Sequence, residues 1–261
     1  MSAPGARLRL VRVAQLWRYP VKSLGGERVS ALNLVADGVE GDRAWGILDR
    51  ADGRILTGRR EPPLLFAAAR SGSDGKPLIT LPDGRELVGP GPATDEALSA
   101  WLGKSVTLVS AAHSDAGRGE YFADATDDSS RAIEWTMPKG RFVDLAAVLV
   151  LTTAGLRGCA AAYPGGAWDV RRFRPNVLVE AEGEGWIEDE WIGRTLHVGA
   201  ARLAAHSRCV RCTMVNRAQP GLARDVEIYR TLSRVHGGDA GAWSQVTGQG
   251  ALSLGDPVTV Q

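Results

Sequence analysis

Cysteine is scarce in this chain, with three among 261 residues: Cys159, Cys209 and Cys212. An odd number that small argues against a disulfide framework and for reduced thiols, which points to the cytoplasm. Histidine is almost as rare, at four. A structural zinc site needs four ligands, usually two Cys pairs or a Cys/His set, and only one closely spaced Cys pair exists. Charge of one sign is also missing: 31 Lys and Arg oppose 30 Asp and Glu, a net +1. That balance gives no general electrostatic pull toward nucleic acid or an anionic membrane. No window approaches the ~20 apolar residues of a spanning helix, and "MSAPGARLRLVRVAQLW" lacks the unbroken apolar core of a secretory signal. Finally, there is no dinucleotide-binding glycine signature, too little cysteine for an iron–sulfur cluster, and no internal repeat.

What is abundant is glycine and proline, 32 and 13 residues, spread between many short apolar runs. This distribution predicts short strands joined by turns, so the expected class is mainly β with some helices, a β-rich α+β chain. "RLRLVRVAQLWRYPV" alternates from Leu8 and Leu10 through Val13 and reads as a strand halted by Pro20. "AWGILDRADGRILTG" and "PLITLPDGRELVG" read as hairpins turning at Asp52-Gly53 and at Pro82-Asp83-Gly84. "TDEALSAWLGK" reads as a helix with Thr94 as N-cap and Gly103 as stop, followed by the strand "SVTLVSA".

The polar stretch His113 to Ser130 interrupts the pattern long enough to be a boundary or a functional loop. The expected division is therefore residues 1–112 and 113–261. Beyond it, "LAAVLVLTTAGLRGCAAAYPGG" reads as a buried strand running into a helix. "RFRPNVLVEAE" and "RTLHVGAARLAAHS" read as strands, "RDVEIYRTLSRVHGG" as an amphipathic helix (Val226, Tyr229, Leu232, Val235), and "GALSLGDPVTV" as a closing strand.

Chemistry concentrates in "SRCVRCTMVN". Cys209-x-x-Cys212 has the spacing of half a zinc site or of a redox pair. The first lacks partner ligands. The second normally opens a helix, whereas "TMV" after Cys212 is β-branched and strand-like. Plain packing is as common a role for such a pair. Arg208 and Arg211 favour a neighbouring thiolate, which is both a nucleophile and a soft-metal ligand. In "YPVKSLGG", Lys22 and Ser23 precede a glycine pair whose backbone can approach an anion, although a solvated turn lysine is the simpler reading. Arg43 in "GVEGDRAWGI" and Arg171, Arg172 and Arg174 in "RRFRPNVLV" carry donor forks suited to phosphate or carboxylate, or merely solubilise strand ends. His206 reads as a polar core residue. The eight tryptophans read as core packing, with Trp168, Trp186 and Trp243 able to border a cleft.

These stretches, in this order, resemble one family. "LWRYPVKSLGG", "GVEGDRAWGILDRADGRILTGRREPPLL", "RRFRPNVLVE", "RCVRCTMVNRAQPG" and "GALSLGDPVTV" look like successive signatures of MOSC-domain proteins. The resemblance covers nearly the whole chain, as an N-terminal MOSC β-barrel domain to about residue 112 and then a MOSC β-barrel domain. It is similar to the branch formed by bacterial homologues of the mitochondrial amidoxime reducing component.

The resemblance implies a pyranopterin molybdenum cofactor with Cys212 as thiolate ligand to the metal and catalytic centre. Lys22, Ser23, Arg43, Thr152 and Arg174 would hold the cofactor's phosphate and pterin, with Asn176 and Arg211 beside them. Cys209 and Cys159 would be structural. The implied reaction removes oxygen from an N-hydroxylated substrate such as an amidoxime, hydroxylamine or hydroxamic acid. Its electrons would come from a separate ferredoxin- or flavin-type donor. Relatives often carry Ser or Pro between the two cysteines and an acidic residue after the following "TTV". This chain has Val210 and then Asn216-Arg217, which changes the polarity beside the metal. Two other functions fit the same residues: a cofactor carrier or sulfur-transfer protein, and a repurposed MOSC module without molybdenum.

Overall fold

The computed structural model describes residues 11–113, 117–183 and 185–261. Strand dominates, as the spread of turn residues implies. Three α-helices, Pro92–Leu102, Thr153–Ala162 and Glu227–His236, occur among the described residues. Leu8 and Leu10, read as part of the first strand, lie outside the described residues, and the strand runs Val11–Arg18.

Eight strands form one large sheet. Across it they run Val258–Val260, Thr195–Val198, Ala201–Val210, Asp239–Gly248, Val148–Thr152, Val177–Ala181, Val11–Arg18 and Glu27–Val29. The pair Val148–Thr152 and Val177–Ala181 is parallel, and helix Thr153–Ala162 lies in the crossover that a parallel pair requires. The sheet curls until its far ends meet. Arg12 bridges Pro257, and Val13 exchanges backbone hydrogen bonds with Gly255 and Asp256, each 2.9 Å long. Enclosed in the curl is an apolar core that includes Leu16, Leu34, Val148, Val177, Leu196, Leu203 and Leu252.

Five of that core's residues, Val13, Leu16, Leu32, Leu34 and Val39, come from the chain's first forty. A second core begins at Val21 and gathers Leu24, Ile47, Leu64, Ile79, Leu98 and Val106. The chain therefore crosses into the second core twice early on, right after Tyr19 and again between Val39 and Ile47, returning to the first between Leu24 and Leu32. On the outer face of the large sheet, the helices Thr153–Ala162 and Glu227–His236 pack through Cys159, Phe173, Leu178, Ile228 and Leu232.

Several local expectations change in detail. Helix Pro92–Leu102 starts two residues before Thr94, with Gly91 at its N-cap and proline in its first turn, where the missing N–H is harmless. Gly103 ends it in the left-handed conformation (φ 65°) that glycine accommodates. The Asp83-Gly84 hairpin forms between Pro77–Thr80 and Glu86–Val88. The expected hairpin at Asp52-Gly53 is reduced to a single Leu48–Ile55 bridge, because Trp45–Asp49 pairs along its whole length with Val106–Ser110. The polar stretch after His113 holds a hairpin of its own, Arg118–Phe122 against Ala132–Thr136. The closing segment is two strands, Gly250–Ser253 and Val258–Val260, broken before Pro257.

Candidate functional site

A cavity of about 280 Å³ opens where the chain crosses between the two cores. Lys22, Ser23 and Arg43 come from the two early crossings, Arg59 from the loop after Ile55, and Tyr121 and Phe122 from the hairpin. Phe142 to Ala146 come from the return crossing, and Phe173, Arg174, Asn176, Cys209 to Cys212, Met214, Val215 and Trp243 from the large sheet and its loops. Three non-glycine residues among those described hold a positive φ: Ser23 at 69°, Arg43 at 47° and Arg174 at 55°. All three line this cavity. A left-handed backbone costs roughly 1–2 kcal/mol per residue, so it persists only where the surroundings over-determine it. Here Gly58 N–H donates to Ser23 Oγ at 2.9 Å, Arg43 N–H to Tyr19 O at 2.7 Å and Arg174 N–H to Val170 O at 3.1 Å.

Five cations and one carboxylate, Asp144, line this wall, and two of the cations bind the carboxylate. Lys22 Nζ donates to Phe142 O at 2.9 Å and to Asp144 Oδ1 at 2.5 Å, while Arg59 Nη2 donates to Asp144 Oδ2 at 2.5 Å. Burial opposes the charge on Asp144, but Arg59 and Lys22 outweigh it and hold the carboxyl well below the usual range. Burial likewise pushes Lys22 down, with Asp144 countering. Arg43 leans on the fully buried Asp42 behind it, Nη1 to Oδ2 at 2.5 Å, and that ion pair overcomes burial to raise its pKa.

Arg174 differs from the others. Its guanidinium makes no hydrogen bond or ion pair among the described residues, although the residue is 8% exposed. It lies 4.3 Å from the centre of the Tyr19 ring, which Arg43 also covers at 4.4 Å, an arrangement that lets an aromatic ring support two cations. Burial first, and then Arg43, lower its pKa to about 10, so it stays charged at neutral pH. Burial pushes Tyr19 up to about 12, and its hydroxyl has no partner. Arg211 Nε is likewise buried without an acceptor.

The two thiols of the opening between sheet and loop are not equivalent. Cys209 is buried at the end of strand Ala201–Val210 and accepts from Arg211 Nη1 at 2.9 Å. Burial raises its pKa even against that guanidinium, which keeps it a neutral thiol. Cys212 is half-buried on the cavity wall and caps a 3₁₀ turn, Thr213–Asn216, where a strand-like continuation was expected. Arg172 enforces that turn by donating to Val215 O and Arg217 O, and also to Ala167 O and Ala223 O. Asn216 Oδ1 anchors the turn to the following helix through Tyr229 N–H at 2.9 Å. Among the described residues no cluster of three or more His, Cys, Asp or Glu could hold a metal.

Seven of the eight residues that the resemblance assigns to a site meet here: Lys22, Ser23, Arg43, Arg174, Asn176, Arg211 and Cys212. Thr152 does not. It is fully buried behind the sheet, donating to Glu188 and accepting from Gly155 N–H at 3.1 Å as the cap of helix Thr153–Ala162. Asn176 reaches the cavity, but its amide is used by Leu149 N–H, Trp17 O and Arg43, so it positions Arg43. His206 is exposed and not a core residue, bonded to Ser207. Of the three tryptophans, Trp243 borders the cavity, while Trp168 stacks on Phe173 and Trp186 on His236. Arg59, Asp144 and Tyr121 were not foreseen. Arg59 covers the Tyr121 ring at 4.1 Å and completes the wall next to Asp144.

Two β cores with a cationic, thiol-bearing cavity at their crossing define the class. The chain belongs to the MOSC-domain family: residues 10–125 match the MOSC N-terminal beta barrel domain and residues 138–259 the MOSC domain. That family is associated with molybdenum-cofactor binding. Among curated proteins, the chain is similar to mitochondrial amidoxime-reducing component 1 of Mus musculus, 25% identical over 243 residues, covering 82% of this chain and 68% of that protein. It is also similar to mitochondrial amidoxime reducing component 2 of Bos taurus, 38% identical over 74 residues. That match spans 26% of this chain and only 22% of the bovine protein. Among solved structures, the YUAD protein from Bacillus subtilis superposes with a TM-score of 0.47 at 12% identity, over 97% of this chain and 96% of that one. A superposition that loose says nothing about chemistry. No helix among the described residues is long and apolar enough to cross a membrane.

Proposed function

We propose that this chain binds a molybdenum cofactor in the cavity and reduces N-hydroxylated compounds, such as amidoximes, hydroxylamines and hydroxamic acids, with electrons from a separate ferredoxin- or flavin-type reductase. One observation carries the reading: Arg174, a guanidinium with no acceptor, shares a cavity with the accessible thiol of Cys212. Buried charges are normally paired, so an unpaired one marks a place for an anion. A dianionic phosphate fits this chain's donors. Arg174 offers its free fork, Lys22 keeps one N–H after its two hydrogen bonds, and Ser23 accepts from Gly58 and retains a hydroxyl proton to give. Thr152 has no part in this set, being held by Glu188.

Cys212 is the protein's ligand in this reading. Neighbouring Cys209 is kept protonated by burial and does not compete for the metal. When bound, the cofactor supplies two-electron oxygen-atom-transfer chemistry at its metal. The residues do the rest: Asp144 holds Lys22 and Arg59 in place, Asp42 holds Arg43, and the Tyr19 ring keeps Arg43 and Arg174 from splaying apart. In the overall reaction the N–O bond of the substrate breaks, and two electrons and two protons carry its oxygen away as water.

The test is metal analysis by mass spectrometry with pterin fluorescence after oxidation, on wild type and Cys212→Ala made in a cofactor-competent host. Near-stoichiometric molybdenum in wild type, lost in the variant, is expected. Benzamidoxime should then be reduced with an artificial electron donor. Folded wild-type protein with neither metal nor pterin would overturn the reading. Bound cofactor without turnover of any N-hydroxylated compound would turn it into a carrier.

A further inference from the structure

We infer that the outer rim of the cavity is a substrate subsite for an aryl or branched aliphatic body, and that Val210 and Leu145 set which N-hydroxylated compounds are accepted. The inference rests on the reductase reading above. Seven large apolar side chains are exposed among the described residues: Phe66, Val88, Ile133, Trp135, Leu145, Val210 and Leu254. Four of them gather at this one mouth. Val210, 60% exposed, and Leu145, 53% exposed, are cavity wall. Trp135 donates through Nε1 to the backbone oxygen of Asp144 at 3.1 Å, next to Leu145. Trp135 also lies 5.6 Å from the wall residue Tyr121, ring centre to ring centre. Ile133 pairs with Tyr121 across the hairpin and shares its face.

Exposed apolar side chains scattered singly need no explanation, but a cluster on the rim of a site marks a binding surface. The cavity is thus graded. Buried cations line its depth, Cys212 stands partly open, and Val210, two residues from Cys212 in the chain, begins an apolar rim. Val210, Leu145 and Cys212 line the same cavity, so a substrate resting on the rim shares it with the thiol, its polar N–O end inward.

The test compares Val210→Ser, Leu145→Ser and, as a control for general surface polarity, Leu254→Ser, whose side chain is exposed away from the cavity. Val210 is exposed enough that its replacement leaves the fold intact. With an artificial electron donor, Val210→Ser should raise KM for benzamidoxime about tenfold and lower kcat far less. It should also lower the preference for benzamidoxime over hydroxylamine by about the same factor. Val210→Leu should restore the KM, and Leu254→Ser should match wild type. Equal losses on both substrates, or an unchanged KM in both rim variants, would overturn the inference. So would an effect seen only with a protein electron donor, which would make the rim a docking face. Calorimetric titration of benzamidoxime into cofactor-free protein separates this proposal from the one beneath it. Weaker binding in Val210→Ser upholds the apolar subsite even if no reductase activity exists, and unaltered binding counts against it.

Discussion

The scaffold behind the cavity and the cavity itself each bury an arginine of "RRFRPN", on opposite terms. Arg172 is 1% exposed and has four backbone carbonyls around it. Arg174, two residues on, is nearly as buried and has none. The first arrangement is complete without a ligand, and it shapes the turn that presents Cys212. The second is incomplete, and beside it Tyr19 Oη and Arg211 Nε are unpartnered as well. Buried polar groups are satisfied almost everywhere in folded proteins. In the reading proposed above, Arg174 is left for a partner from outside.

The contrast breaks most visibly at Arg172. Arg172→Ala orphans four carbonyls in one place and should lower stability by about 4 kcal/mol, read as a fall in the denaturant midpoint. Arg174→Ala removes an unpaired cation facing Arg43 and loses only its ring contact with Tyr19. Stability should stay within about 1 kcal/mol of wild type, while retained pterin falls away. Equal destabilisation by the two variants would erase the distinction.

A smaller effect sharpens it. Glu188, fully buried with Thr152 donating to it and Oε1 unpartnered, has its pKa raised, chiefly by burial. A carboxyl raised in the folded state stabilises fully below its unfolded pKa, and that contribution is lost as pH rises through the folded value. As pH rises from acid toward and past neutrality, wild type should therefore lose melting temperature relative to Glu188→Gln, whose amide does not titrate. Asp144, whose pKa is depressed, runs the other way: its stabilisation holds above the ordinary carboxylate range and fades only in acid.

Periodicity and punctuation made the helices at Pro92–Leu102 and Glu227–His236 and the strand–helix unit at Val148–Ala162 legible, because those signals are local. Family resemblance, not spacing, drew Lys22, Ser23, Arg43, Arg174 and Cys212 together. Thr152 was misplaced because a hydroxyl at a strand end serves equally as a helix cap, and the choice depends on Glu188, 36 residues later. Arg59 and Asp144 escaped because nothing near either one marks it. They meet across 85 residues, and the other partners of their side chains, Lys22 and Tyr121, are remote as well. The hairpin after His113 was hidden by its polar tip, although "RGEYF" and "AIEWT" on either side carry the aromatic and β-branched residues of strands.

Sheet order has a bearing on how the protein is made. Arg12 in the first strand faces Glu180, 168 residues further along. Translated at roughly 5–20 residues per second, that strand waits on the order of ten seconds or more for its neighbour. Lys22, four residues past the end of the same strand, waits in turn for Phe142 and Asp144, which its ammonium bonds. The cationic wall is thus completed late in synthesis: a chain stopped near residue 137 would hold Lys22, Ser23, Arg43 and Arg59 but not Asp144, Arg174 or Cys212. Such pairings, remote in sequence, slow folding and leave strand edges open to aggregation. Expressing the two family segments apart should therefore yield two insoluble halves.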